Sequence, residues 1–265
     1  MHYLIITILL PQLLFLLGTI LIIPIAPLLI WQGRRVKKQV PKLPEAMGPT
    51  SGTVGAGENP LRLLTLGEST IAGVGVSNHE EGITGQAALE LHKLSGRSIE
   101  WDVVAHTGYN VQDVRLKLVP QIPARSFDVL VIGLGGNDTF ELNRPWWWRK
   151  EFKKLIELLQ EKQPQATIVI TNLPPVGEFP AFPLTIQWVL GSLVRLHAWA
   201  INDFPRLFDR LYYQNESIKM NDWLHKLEGT QTPGDFFSDG VHPSALTYRL
   251  WGQELAAFIW DKKII

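Results

Sequence analysis

Four short apolar runs, closing on glycine, histidine or proline, constrain this chain more than any other feature. They are LRLLTLG (61–67), IEWDVVAH (99–106), FDVLVIGLG (127–135) and ATIVITNLP (166–174). Continuous apolar runs of this length suit strands buried on both faces. Between them the period changes. Ile83, Ala87, Leu91 and Leu94 fall on one helical face, as do Trp148, Phe152, Leu155 and Leu159, and the segment from Pro243 to Ile259 reads as a last helix with Pro243 in its first turn. Strands alternating with helices need crossovers, which predicts an α/β fold with a mostly parallel sheet covered on both sides. Ligands gather beyond the carboxyl ends of such strands. Ser69, Gly108 and Asn137, which follow the first three runs, are therefore expected on one rim.

The first sixty residues are of a different kind. No charged side chain occurs from Tyr3 to Trp31, and Leu13 to Trp31 is nearly all apolar. A membrane span needs about 20 such residues, although Pro11, Pro24 and Pro27 should kink it. The start, MHYLIITILL, lacks a basic region, and LLIWQGRRVKK offers no small-residue cleavage site, so residues 1–33 read as an uncleaved single-pass transmembrane anchor. Arg34, Arg35, Lys37, Lys38 and Lys42 follow it, which by the positive-inside tendency places the remainder in the cytoplasm; a periplasmic or extracellular placement stays open. Residues 34–60, basic and then rich in proline and glycine, read as a linker, and 61–265 as one catalytic domain.

Composition removes several functions. With the five basic residues of the first 42 set aside, 20 basic residues face 25 acidic ones, and an acidic body does not suit nucleic acid. The absence of cysteine excludes disulfides, thiolate zinc sites and a thiol nucleophile. His79, His92, His106, His197 and His225 lack paired metal-ligand spacing, and the glycine-rich GESTIAGVG lacks the ending of a phosphate-binding loop and the glycine of a G-x-S-x-G elbow. No metal or cofactor is expected.

Chemistry then falls to LGEST, GGND and DGVHP. Each alone has a bland reading: Ser69 as a helix cap, the other two as turns. Jointly they supply what acyl transfer needs. A serine hydroxyl requires a base to take its proton, an imidazole such as His242 titrates in the right range, and a carboxylate such as Asp239 on the other ring nitrogen fixes the tautomer. The Asn137 side chain and the backbone amides of Gly108 and Ser69 offer donors for an oxyanion.

The blocks LGEST around Ser69, Gly108, GGND around Asn137 and DGVHP around Asp239 and His242 resemble those of the SGNH hydrolases, the GDSL esterase/lipase family, over about residues 61–259. The resemblance implies a three-layer flavodoxin-like fold and hydrolysis of a small-molecule ester or thioester through an acyl-enzyme. It assigns Ser69 as nucleophile, His242 as base, Asp239 as its orienter, and Ser69, Gly108 and Asn137 as the oxyanion hole. Glu68 stands where the family usually has aspartate, which leaves its role open. The anchor and Trp146, Trp147 and Trp148 favour a lipid-like acyl substrate reached at the membrane, and residues 179–199 read as a buried helix or an acyl-chain wall. The alternatives are a carbohydrate O-acetylesterase and an inactive membrane-tethered scaffold on the same fold.

Overall fold

The computed structural model describes residues 9–216, 218, 220–227 and 231–265. Its principal elements are α1 (Leu10–Ile22), α2 (Ala26–Gln39), β1 (Ser51–Val54), β2 (Leu61–Gly67), α3 (Ile83–Ser95), β3 (Ile99–Ala105), β4 (Val129–Gly133), α4 (Gly136–Phe140), α5 (Pro145–Lys162), β5 (Thr167–Ile170), α6 (Leu184–Ile201), β6 (Leu211–Tyr213), α7 (Met220–Lys226) and α8 (Ala245–Asp261). Among the described residues the sheet has six strands in the order β1-β3-β2-β4-β5-β6. All neighbours pair in parallel except β1, which runs antiparallel on β3. With β1 set aside, the parallel strands follow the flavodoxin-like order, whose switch point lies between β2 and β4.

Alternation along the strands divides the core into two layers. Leu64 and Leu66 of β2 and Leu130 and Ile132 of β4 face α5, meeting Trp148, Phe152 and Leu155. Leu63, Val129 and Val131 point the other way, onto Ala87 and Leu91 of α3 and Tyr248, Trp251 and Leu255 of α8. This two-sided burial explains the unbroken apolar run of β4 and the largely apolar one of β2, where Arg62 is exposed. The expected three-layer α/β fold is the one observed.

The differences lie at the edges. The segment read as a linker holds the end of α2 and strand β1, and the Ala46 and Met47 amides donate to the carbonyls of Ala72 and Ser77. SGTV is too short to carry a period of its own; its pairing with β3 places it. β6, three residues long, escapes sequence detection for the same reason. α8 begins at Ala245 with Ser244 as its cap, so Pro243 lies before the helix instead of within its first turn. Residues 179–199 are neither wholly buried nor wholly a wall: α6 buries Ile186, Leu193, Val194 and His197 but exposes Leu184 and Trp188.

The N-terminal helices are long and apolar enough to cross a membrane. Pro24 falls in a 3₁₀ turn between them and Pro27 near the start of α2, where a missing N–H costs no helical bond. They rest on the body. Phe15 meets Trp146 edge-on with ring centroids 5.6 Å apart, and the Thr185 hydroxyl donates to Gln32 Oε1 at 2.6 Å.

Trp148 is fully buried, packs edge-on against Phe152, and donates its indole N–H to the His197 carbonyl at 3.1 Å. Trp148→Ala should destabilise the body by about 3–5 kcal/mol, read as a lowered urea midpoint.

Candidate active site

Three strand ends converge first. Gly67 closes β2 in register with Ala105 of β3 and Gly133 of β4, so the loops that follow leave the sheet at one level. Ser69 and Gly108 lie on the loops after β2 and β3, and Asn137 lies in the first turn of α4 just beyond β4, all at the rim that the sequence predicts. Gly108 has φ +86° with open space where a Cβ would sit, so the requirement for glycine there is conformational. Among the described residues, neither the Ser69 N–H nor the Gly108 N–H has an acceptor. Asn137 Nδ2 donates to the Tyr109 carbonyl at 3.0 Å, and an amide nitrogen carries a second hydrogen. The arrangement thus holds spare donors on three loops.

Glu68 stitches the loops together. Its side chain is 4% exposed and accepts from the Gly136 N–H at 2.7 Å and the Asn137 N–H at 2.8 Å. The acid beside Ser69 therefore holds the loop that carries Asn137. Sequence reasoning left this role open; an acid next to Ser69, with a Gly-Gly-Asn turn after a neighbouring strand to offer amides, is the signal that points to it. Asp138 behaves similarly, accepting from the Val111 N–H and from Asn143 Nδ2, each at 3.0 Å. A third support was not legible: Glu45, in the segment read as a linker, accepts from the Thr107 N–H at 2.6 Å and braces the Gly108 loop.

The turn from Ser238 to Ser244 supplies the other half. Asp239 Oδ1 accepts from the backbone N–H of Val241 at 2.9 Å and of His242 at 2.7 Å, while Oδ2 takes His242 Nδ1–H at 2.7 Å. With the proton on Nδ1, the neutral ring presents Nε2 as an acceptor. The turn is fastened to the loop after Ser69. Ser238 Oγ lies 3.1 Å from the Gly75 carbonyl, Tyr248 donates to the Val74 carbonyl at 2.8 Å, and a side chain at Gly75 would collide with the Pro243 carbonyl. Among the described residues no hydrogen bond joins Ser69 Oγ to His242. The structure brings the two loops together through the bonds of Ser238 and Tyr248.

Burial and hydrogen bonding split the acids into two kinds. Burial alone would raise Asp239, but the His242 side-chain and backbone bonds and the imidazole's charge outweigh it and hold the group below its ordinary value. Burial pushes Glu68 up to about 7 against the pull of the Asn137 and Gly136 amides and the His242 charge. Asp138 rises to about 8, through burial and then through the negative charge of Glu68. His197, one of the histidines expected to be structural, is buried in α6, lowered to about 4 by desolvation, and donates Nε2–H to the Asn143 carbonyl at 2.7 Å.

A cavity of about 20 Å³ lies beside the nucleophile loop, lined by Thr70, Pro174, Phe179, Phe237, Val241 and Pro243. Thr70 follows Ser69, and Val241 and Pro243 flank His242.

Residues 65–250 match the GDSL-like Lipase/Acylhydrolase family. The chain belongs to that family. A comparison with curated proteins finds no match. Among solved structures, the chain is similar to a family two carbohydrate esterase from Clostridium thermocellum in complex with cellohexaose, at 18% identity and a TM-score of 0.54, covering 78% of this chain and 66% of that one. It is similar to the lipase/acylhydrolase from Enterococcus faecalis at 16% identity and TM-score 0.53, covering 76% and 96%. A member of the lipolytic protein G-D-S-L family from Veillonella parvula gives 15% identity and TM-score 0.56, covering 76% and 99%. These likenesses establish the fold; membership of the GDSL-like family makes the chain a hydrolase acting on esters.

The buried acids set a pH dependence. Glu68 and Asp138 bind protons more tightly folded than unfolded, so their contribution is full below about pH 4 and is lost as pH rises towards 8. The melting temperature should fall across that window, and Glu68→Gln should flatten the fall between about pH 4.5 and 7 in calorimetric scans.

Proposed function

We propose that this GDSL-like chain is a membrane-associated serine ester hydrolase that works through an acyl-enzyme, with Ser69 as nucleophile, His242 as base and Asp239 as its orienter. The observation that carries this reading is the Asp239–His242 pair at 2.7 Å, on a turn fastened to the loop that follows Ser69. His242 Nε2 would take the Ser69 proton as Oγ attacks the ester carbonyl, and would return it to the leaving alcohol or thiol. The amides of Ser69 and Gly108 and the side chain of Asn137 would receive the negative charge on the carbonyl oxygen. Glu68 positions the last of these through its bonds to Gly136 and Asn137. Water then repeats the sequence on the acyl-enzyme.

Ser69→Ala should abolish both p-nitrophenyl acetate turnover and covalent labelling by a fluorophosphonate while leaving circular dichroism unchanged. Asn137→Ala should lower kcat by about 10²–10³-fold. Failure of the folded wild-type chain to label would favour an inactive scaffold on the same fold.

The apolar helix Leu10–Gln39 supports a lipid-like acyl substrate met at a membrane, and the basic residues from Arg34 to Lys42 support a body on its cytoplasmic side. A second reading has an observation of its own. The cavity beside Thr70 holds about 20 Å³, space for one methyl-sized group, which favours a short acyl such as acetyl, and the similar Clostridium thermocellum protein is named a carbohydrate esterase. A panel from acetyl to palmitoyl esters separates the two. A lipid-type enzyme gains kcat/KM with chain length, whereas an O-acetylesterase loses turnover beyond about four carbons.

A further inference from the structure

The first thirty described residues raise a geometric conflict. Along α1, the intervening turn and α2, the less exposed positions include Pro11, Phe15, Gly18, Ile22, Ile25, Leu29, Gln32 and Val36, spaced by three or four, with Leu10, Gln12 and Ala26 beside them. Such a stripe marks one continuous helix face. Phe15 on Trp146 and Gln32 on Thr185 identify what it faces: the start of α5 and the start of α6. Between Phe15 and Gln32 the docked stretch runs about 26 Å at 1.5 Å per residue, most of the hydrocarbon core's thickness of about 30 Å.

A helix docked along most of its apolar length cannot cross a bilayer unless the body enters with it. Phe15 lies near the middle of the uncharged stretch from Tyr3 to Trp31, so a crossing helix would place Trp146 near the bilayer centre. The exposed Arg144, stacked over Trp146, would follow it there. A charge at that depth is strongly disfavoured.

The geometry points to an in-plane anchor: α1 and α2 lie along the bilayer surface, clamped between the body and the acyl chains. The inference rests on the membrane association proposed above and replaces a span with a monotopic dock. The outward face suits that occupant, presenting Leu13, Leu17, Ile20, Leu21, Leu28 and Trp31, followed by Arg34, Arg35, Lys37 and Lys38 for anionic headgroups. The body continues the apolar surface, since Leu184 is 82% and Trp188 60% exposed on the helix that bonds Gln32. Phe140, three residues beyond Asn137, meets Phe182 edge-on at 5.9 Å, and Phe182 precedes Leu184 by two. An apolar strip thus joins the rim of the site to the bilayer contact, a route for a lipid ester that avoids water.

The absence of cysteine permits a direct test on the full chain. Leu9→Cys and Gln39→Cys, each reconstituted into preformed phosphatidylcholine/phosphatidylglycerol vesicles, would be exposed to an impermeant maleimide added outside. An in-plane helix labels at both ends without detergent; a helix that labels at only one end until detergent is added overturns the inference. Leu184→Cys carrying an environment-sensitive fluorophore should give blue-shifted, brighter emission that lipid-borne quenchers reduce. Emission that stays water-like while the protein floats with vesicles would leave the membrane association standing and remove the in-plane dock. A shift that instead tracks protein concentration without lipid would assign the surface to a second copy. Failure to float at all would overturn the association and the dock together, while fluorophosphonate labelling of Ser69 reports separately on the chemistry.

Discussion

β2 pairs in parallel on both edges, with β3 on one side and β4 on the other, and the site is a consequence of that position. Because Gly67, Ala105 and Gly133 stand in register, three chain segments leave the sheet at the same height. Parallel neighbours cannot be joined by a tight turn, so each following loop is free to carry polar groups before its crossover begins. Glu68 converts that proximity into rigidity by accepting two amides from the loop after β4. Without the shared register the carboxylate would have no amides within reach.

The site also illustrates how one functional group takes opposite states within a single rim. Asp239 receives two backbone amides and an imidazole, and these outweigh the cost of burial, so it holds its charge against the His242 ring. Glu68 and Asp138 are buried close to each other, and both retain protons near neutrality. Depth of burial separates them first, since Glu68 and Asp138 are almost wholly screened from water while Asp239 is half-buried, and the direct bond to the His242 ring adds to the difference. An anionic orienter behind the base and partly neutral acids behind the amide donors place negative charge where the proposed reaction uses it.

The apolar helix and the site are continuous in space. Helix α6 touches α2 through Thr185, and the segment before it, through Phe179 and Phe182, lines the cavity on one side and meets Phe140 beyond Asn137 on the other. One stretch of chain therefore serves both the cavity beside Thr70 and the surface beside the N-terminal helix.

Much of this was legible from residue order. The mainly apolar runs place β2, β3, β4 and β5, because burial on both faces leaves little room for polar side chains, and the blocks after three strands and before the last helix nominate Ser69, Gly108, Asn137, Asp239 and His242 as candidates through the chemistry that acyl transfer demands. β1 and β6 were not legible, because strands of four and three residues are placed by their partners. The roles of Glu68 and Glu45 depend on amides 68 and 62 positions away, and sequence pattern does not encode which distant N–H a carboxylate will meet. The N-terminal helix divides in the same way: its apolarity follows from composition, whereas the face it turns to the body depends on side chains of α5 and α6 that only folding brings alongside.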